Sequence, residues 1–163
     1  MPLRVGIAGL GTVGAGVLKL INQQAGLLTE RCGRRLMVAA VSARDRAKDR
    51  GVDLAGVRWY SDAVALAHDQ EIDIVVELIG GAAGVAKAVC EAAIATRKHL
   101  VTANKALLAV HGAALARAAE ENGVVLAYEA AVAGGIPIVK ALREGLAGNR
   151  VARIYGILNG TCN

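Results

Sequence analysis

Phenylalanine is absent from this 163-residue chain, tryptophan occurs once and tyrosine three times, so aromatics make up 2% of it. That poverty excludes a single-strand nucleic-acid binder, which needs aromatic faces for bases to stack on. Cysteine is scarce too. Cys32, Cys90 and Cys162 are odd in number, far apart and without C-x-x-C spacing. They exclude a disulfide framework and a cysteine metal site, and fit the reduced thiols of a cytoplasmic protein. Histidine occurs three times, as His68, His99 and His111, with neither metal nor triad spacing, so these read as structural. No stretch of about 18 apolar residues escapes a charge, glycine or proline, so no membrane span is expected. A secretory leader is not expected either. Arg4 precedes an apolar stretch to Leu18, but five glycines interrupt it between Gly6 and Gly16, and no A-x-A-like cleavage site follows.

What is present is aliphatic. Residues of the hydrophobic class make up 55% of the chain, and with so few aromatics the core must be Val, Ile, Leu and Ala. Strands covered on both faces read this way, and the length suits one domain with an ample core. The net charge of +5 is confined. Residues 31 to 58 carry eight cations (Arg31, Arg34, Arg35, Arg44, Arg46, Lys48, Arg50 and Arg58) against Asp45, Asp49 and Asp53, and the rest of the chain is balanced. A confined basic segment points to a small anionic ligand rather than to nucleic acid, although a solvated basic loop explains most of these side chains equally well.

The most informative run is Val5 to Gly14. A short apolar strand enters Gly9-Leu10-Gly11-Thr12-Val13-Gly14, and a helix pattern follows. This is G-x-G-x-x-G in the strand-turn-helix context that dinucleotide binding requires. Gly9 allows the tight turn, Gly11 lets backbone approach a pyrophosphate, and Gly14 lets helix pack on strand. The helix N-terminus then holds the phosphates. Glycine-rich turns also arise for packing alone. Val13, Val17, Leu20 and Ile21 fall on one expected helix face.

Apolar runs alternate with helical patterns. Strands are expected at 3–9, 36–42, 57–60, 72–79, 99–102 and 124–128, and helices near 12–24, 61–68, 83–97, 105–121 and 137–147. In the helix at 83–97, Val85, Val89, Ala92 and Ala93 share a face. Such alternation with right-handed crossovers defines an α/β, Rossmann-like, doubly wound parallel sheet. Residues 151–158 read as a further strand and 159–163 as a turn leading onward. The expectation is a cofactor-binding domain at 1–150 and, at 151–163, the start of a second domain truncated here.

Ligands of such sheets sit beyond the carboxyl ends of the strands. After the second strand stand Ser42 and Ala43, then Arg44 and, a turn later, Lys48. These cations suit a 2′-phosphate and favour NADP over NAD. Asp45 could serve a ribose hydroxyl instead after a small backbone shift. After the fourth strand, Gly80 and Gly81 permit close approach to the nicotinamide half, and Glu77 is either part of that site or a structural carboxylate capping the next helix. After the fifth strand, Thr102-Ala103-Asn104-Lys105 places a lysine beside the crevice, where it can move a proton at a carbonyl or hydroxyl. Partial desolvation would lower such a lysine's pKa and aid that task, while an ordinary surface charge is the plainer reading. Glu129 to Pro137 is a small-residue loop that offers carbonyl oxygens and Glu129 to a monovalent cation, or merely a tight turn.

Taken together, G-L-G-T-V-G at 9–14, A-R-D at 43–45, E-L-I-G-G at 77–81, T-A-N-K-A-L-L-A at 102–109, Y-E-A-A-V-A-G-G-I-P at 128–137 and G-I-L-N-G-T-C-N at 156–163 resemble homoserine dehydrogenase. The resemblance covers essentially the whole chain in order. It implies an NAD(P)-dependent oxidoreductase that interconverts aspartate 4-semialdehyde and homoserine, in threonine, methionine and isoleucine biosynthesis. By position it implies Lys105 as catalytic lysine. It implies cofactor contacts from Gly9, Gly11, Thr12, Val13, Gly14, Arg44, Lys48, Gly80, Asn104 and Lys105. It implies a monovalent cation such as sodium at Glu129, Val132 and Gly134, and a crossing into the substrate domain near Gly160. It also implies a homo-oligomer when full length, with a small-molecule substrate and no nucleic-acid or membrane partner. The family's substrate domain, with its second lysine and acidic substrate anchors, follows the N-G-T motif. This chain is therefore expected to bind cofactor and to be inactive alone. The alternatives are a dinucleotide-sensing module without chemistry, which would not need Lys105, and another dehydrogenase of aspartate-derived substrates, whose active-site cysteine Cys162 does not match.

Overall fold

The computed structural model describes residues 1–156. Six parallel strands form one sheet in the order β3-β2-β1-β4-β5-β6. They are β1 (Leu3–Ala8), β2 (Leu36–Ser42), β3 (Arg58–Tyr60), β4 (Ile74–Glu77), β5 (His99–Thr102) and β6 (Leu126–Ala127). Helices α1 (Thr12–Gln23) and α2 (Ala25–Cys32) follow β1, and α3 (Ala63–His68) follows β3. Helix α4 (Val85–Ala95) links β4 to β5, and α5 (Lys105–Asn122) links β5 to β6. Chain order reverses between β1 and β4, which pair directly from Val5–Ile74 to Ala8–Glu77. This is the topological switch point, where a crevice opens beyond the carboxyl ends of the strands.

The core is aliphatic, as the composition requires. Val5 and Ile7 on β1 join Leu18 and Ile21 of α1 with Val38 and Val41 of β2 on one face. The other face gathers Leu66 of α3, Val89, Ala93 and Ile94 of α4, and Leu107 and Leu115 of α5 over Val75 and Leu100. Gly6 leaves room for α3: a Cβ there would stand 2.7 Å from the Leu66 Cδ2.

Every expected strand of the sheet is present, most of them trimmed at the ends. Helix α2 was not expected. It follows α1 after the single residue Gln24 and buries none of its residues, so it leaves no apolar period in the sequence. The expected face of α1 is half met: Ile21 is buried and Val17 packs against the core. Val13 and Leu20 are 61% and 54% exposed, and the buried residues are Gly14, Ala15, Leu18 and Ile21. Contact at Gly14 sets that phase, because this position must meet the β1 turn. The α4 expectation is half met: Val89 and Ala93 are buried with Ala86, Cys90 and Ile94, whereas Val85 is exposed. The helix expected at 137–147 is a single turn, α6 (Ile138–Lys140), that widens into a π-helical turn at Ala141–Gly145. The strand expected from 151 is not formed over residues 151–156. The remainder of that expectation, with Gly160 and Cys162, lies outside the described residues.

An ion-pair cluster ties the amino-terminal end of the sheet. Arg58 pairs with Asp69 at 2.6 Å and with Glu71, which also meets Arg4 at 3.3 Å. Tyr60 donates to Asp69 at 2.9 Å. Burial opposes the Asp69 charge, but the Glu71 N–H, the Tyr60 hydroxyl and Arg58 together hold its carboxyl below the usual range. Glu71 is held low by its bond to Arg58 and then by Arg4. Lys98, 6% exposed, donates to the Ile72 carbonyl at 2.9 Å, and burial pushes its pKa down.

Candidate functional site

The glycine turn is shaped by two close approaches and one opening. Gly9 adopts φ +102°, and a Cβ on it would stand 2.6 Å from the Leu78 carbonyl oxygen. A Cβ on Gly14 would stand 2.1 Å from the Gly9 oxygen. Neither position admits a side chain. Gly11 is different: a Cβ there meets nothing within 4 Å. It is the N-cap of α1 and makes no side-chain cap. The exposed turn Gly11-Thr12-Val13 therefore presents the uncapped positive end of a 12-residue helix. An anionic group belongs there on physical grounds.

Beside it lies the loop after β2. Gly11, Thr12, Ala15, Gly16 and Lys19 line a cleft of about 350 Å³ with Lys48, Asp49 and Arg50 on its other wall. Lys48 is thus brought to the glycine turn. Arg44 is exposed just beyond β2 and does not line that cleft. The Asp45 carboxylate accepts from the Ala47 N–H at 2.9 Å, which engages it within its own loop. Arg50, which sequence reasoning counted only as charge, donates to the Leu10, Lys48 and Asp45 carbonyls at 2.8, 2.7 and 2.6 Å.

On the far side of the switch point a buried network joins three loops. Glu77, fully buried, ends β4. One carboxylate oxygen accepts from the N–H groups of Ile79 and Gly80 at 2.7 and 3.1 Å, and the other from the Thr102 hydroxyl at 2.6 Å. Thr102 in turn accepts from the Asn104 N–H at 3.0 Å. Asn104 caps α5 by accepting from the Leu107 N–H at 3.1 Å, and its amide donates to the Gly81 carbonyl at 2.8 Å. Glu77 is therefore structural, but it does not cap α4, whose N-cap is Gly84 without a side-chain cap. It holds the Gly80–Gly81 loop, where φ is +85° and +88°, against the start of α5. Cys90 lies beneath, its thiol pushed up to about 12 by burial and by the nearby Glu77 and Glu91 charges, which makes it inert at neutral pH.

Lys105 is the first residue of α5, immediately after that capped Asn104. It stands at the mouth of a cleft of about 480 Å³ whose other lining residues include Leu108, Gly112, Tyr128 and Val132. Its side chain is exposed, so the described residues do not supply the desolvation expected of a proton-transfer lysine. Glu129 does not line this cleft; it accepts from the Gly135 N–H at 2.7 Å and closes the loop 129–135. Ala133 adopts φ +51° within it. Among the described residues no cluster of three or more His, Cys, Asp or Glu could hold a metal ion. His99 accepts from the Val125 N–H at 3.1 Å, tying β5 toward β6, as a structural histidine would. No helix among the described residues is long and apolar enough to cross a membrane.

A doubly wound parallel sheet of order 3-2-1-4-5-6, with an open glycine turn at the switch point, defines a Rossmann-type dinucleotide-binding domain. A family model described as the NAD-binding domain of homoserine dehydrogenase matches residues 9–129, and a second, described as homoserine dehydrogenase, matches 137–163. The chain belongs to the homoserine dehydrogenase family. It is 47% identical to a homoserine dehydrogenase of Pseudomonas aeruginosa over 99% of its own length, and spans 37% of that relative. A solved homoserine dehydrogenase from Thiobacillus denitrificans superposes with a TM-score of 0.83 at 46% identity, over 92% of this chain and 34% of that one. A hyperthermophilic archaeal homoserine dehydrogenase, solved in complex with NADPH, shares the fold with a TM-score of 0.73 at 24% identity, over 91% of this chain and 50% of that one.

Proposed function

We propose that the chain is the cofactor-binding part of a cytoplasmic homoserine dehydrogenase that interconverts aspartate 4-semialdehyde and homoserine with NADP in preference to NAD. One observation carries the reading furthest. The network Glu77–Thr102–Asn104 fixes the Gly80–Gly81 loop and the base of Lys105 as one unit at the crevice. When bound, the dinucleotide would supply a hydride acceptor or donor. The Gly9–Gly14 turn and the α1 N-terminus would hold its pyrophosphate, with Gly11, Thr12 and Val13 closest and Gly9 and Gly14 shaping the turn. Lys48, and Arg44 from outside the cleft, would face the 2′-phosphate. The engagement of Asp45 with Ala47 supports NADP, because a free carboxylate at that strand end would favour the ribose diol. Gly80 would let the backbone approach the nicotinamide. Lys105 would give a proton to the carbonyl oxygen of the semialdehyde or take one from the hydroxyl of homoserine.

The Glu129 loop suits a monovalent cation such as sodium better than a divalent one. Its donors would be one carboxylate and the carbonyl oxygens of Val132 and Gly134, a low-charge oxygen set. The domain division that fits is 1–150 for cofactor binding and 151–163 for the start of a substrate and dimerisation domain. A small-molecule substrate and a homo-oligomeric state are proposed for a homoserine dehydrogenase of the relatives' full length. Because the chain spans 37% of its relative, the 163 residues alone are expected to bind cofactor without turnover. The test is Lys105→Ala in a protein that carries the remaining length: homoserine oxidation should collapse while NADPH affinity stays within about threefold of the parent. Unchanged turnover would contradict the role of Lys105.

A further inference from the structure

The β2–β3 connection holds itself by local bonds. Asp45 accepts from Ala47, Asp49 from Gly51 and Asp53 from Ala55, each two residues on. None of these fixes the loop's position against the sheet. Arg50 does. Its Nε donates to the Leu10 carbonyl within the glycine turn, while its two terminal nitrogens donate to the Lys48 and Asp45 carbonyls. The guanidinium also lies 5.4 Å from the Trp59 ring centroid, on the strand that ends the loop. Its three partners are carbonyl oxygens, so no carboxylate spends its charge.

We infer that Arg50 is a specificity-determining clamp, which sets the preference for a 2′-phosphate by holding the Asp45–Lys48 segment against the glycine turn rather than by touching the phosphate. The inference rests on the NADP reading above. The geometry requires an arginine. Only a planar fork reaches three carbonyls in different directions at once, and an ammonium on a flexible stem does not. The clamp also explains why Lys48, and not Arg44, shares the cleft with Gly11 and Thr12: Arg50 grips the carbonyl of Lys48 itself. Val52, Leu54 and Val57 hold the later part of the connection on the core, so losing Arg50 frees the charged Asp45–Lys48 segment ahead of them, which is otherwise tied by the Asp45–Ala47 turn.

The test is a binding titration of the chain with NADPH and with NADH, for the parent, Arg50→Lys, Lys48→Ala and the double variant. Arg50→Lys should weaken NADPH about tenfold, the loss of roughly one charge-assisted contact, and NADH by about twofold or less. The double variant should be little worse for NADPH than the worse single, because Arg50 acts through the loop that carries Lys48. Equal weakening of both dinucleotides would overturn the inference, since that is a fault in the glycine turn. So would full additivity, which would mean that Arg50 meets the phosphate itself. A parent that does not favour NADPH overturns the NADP reading and the inference together, and this is visible before any variant is made. If Arg50→Lys melts below the assay temperature, Arg50→Gln keeps a donor for Leu10 and should lower the NADPH:NADH affinity ratio in the same direction. An unchanged ratio in that variant contradicts the clamp.

Discussion

Two alanine substitutions three residues apart should fail for opposite reasons. At Gly14 a methyl group would sit 2.1 Å from the Gly9 carbonyl oxygen, well inside ordinary contact. That oxygen is backbone, and the Gly9 N–H is itself bonded to Ser42 at 2.9 Å, so relief requires moving the turn or the helix. Overpacking this close against backbone costs about 3 kcal/mol, the upper end of the usual range, offset by about 1 kcal/mol of helix propensity gained over glycine. A net loss of about 2 kcal/mol lowers the Tm of a domain of this size by about 4–8 °C. At Gly11 the methyl meets open space, and the loss as an N-cap is about 0.5 kcal/mol. Its Tm should move by no more than about 2 °C. Gly11→Ala should instead weaken NADPH binding at least about tenfold, because the methyl projects into the space proposed for the pyrophosphate. The assays are thermal unfolding and NADPH titration on the same samples. Parent-like NADPH affinity in Gly11→Ala, with parent-like Tm in Gly14→Ala, would refute the assignment of both glycines.

Glu77→Gln removes the charge behind three hydrogen bonds in a fully buried position, and should cost about 2 kcal/mol, or about 4–8 °C in Tm. A change under about 1 °C would show that the network is slack. Asn104→Ala removes both the α5 cap and the Gly81 tether, and should cost about 1 kcal/mol by denaturant unfolding, with weaker NADPH binding as the loop loosens. The Asp69 and Glu71 carboxyls are held low in the folded state, so the unfolded chain takes up protons first as pH falls. Their stabilisation is complete above the ordinary carboxylate range and is lost as pH falls through their depressed folded values. Asp69→Asn should therefore lower the Tm at pH 7, and the gap to the parent should narrow below about pH 4. A gap that is constant with pH would contradict the ion-pair account.

The sheet was legible because strands buried on both faces must be apolar along their whole length, and runs such as Val75-Val76 and Val124–Tyr128 could be little else. The glycine turn was legible because steric exclusion at Gly9 and Gly14 leaves a fixed spacing in the sequence. Helix α2 was not, because a helix with no fully buried residue, touching the core chiefly through Leu28, has no period to detect. The face of α1 was half legible, through Val17 and Ile21; the rest was not, because the contact at Gly14 is made by the absence of a side chain, which hydrophobicity cannot register. At the site, Lys105 and Lys48 stood out by type and place. The Glu77–Thr102–Asn104 network did not, since a buried carboxylate and its partners look like any polar residues until the strands that carry them are paired. Arg50 was hidden among seven other cations, and only its bond to Leu10, forty residues away, sets it apart.

The central claim is that this chain is a dinucleotide-binding domain that favours NADPH. The most direct measurement is a fluorescence titration of the chain with NADPH and NADH in parallel. The account predicts saturable binding of NADPH, tighter than that of NADH, and abolished by excess NADP. Binding of neither dinucleotide would contradict the claim, and tighter binding of NADH would contradict the 2′-phosphate site while leaving the fold intact.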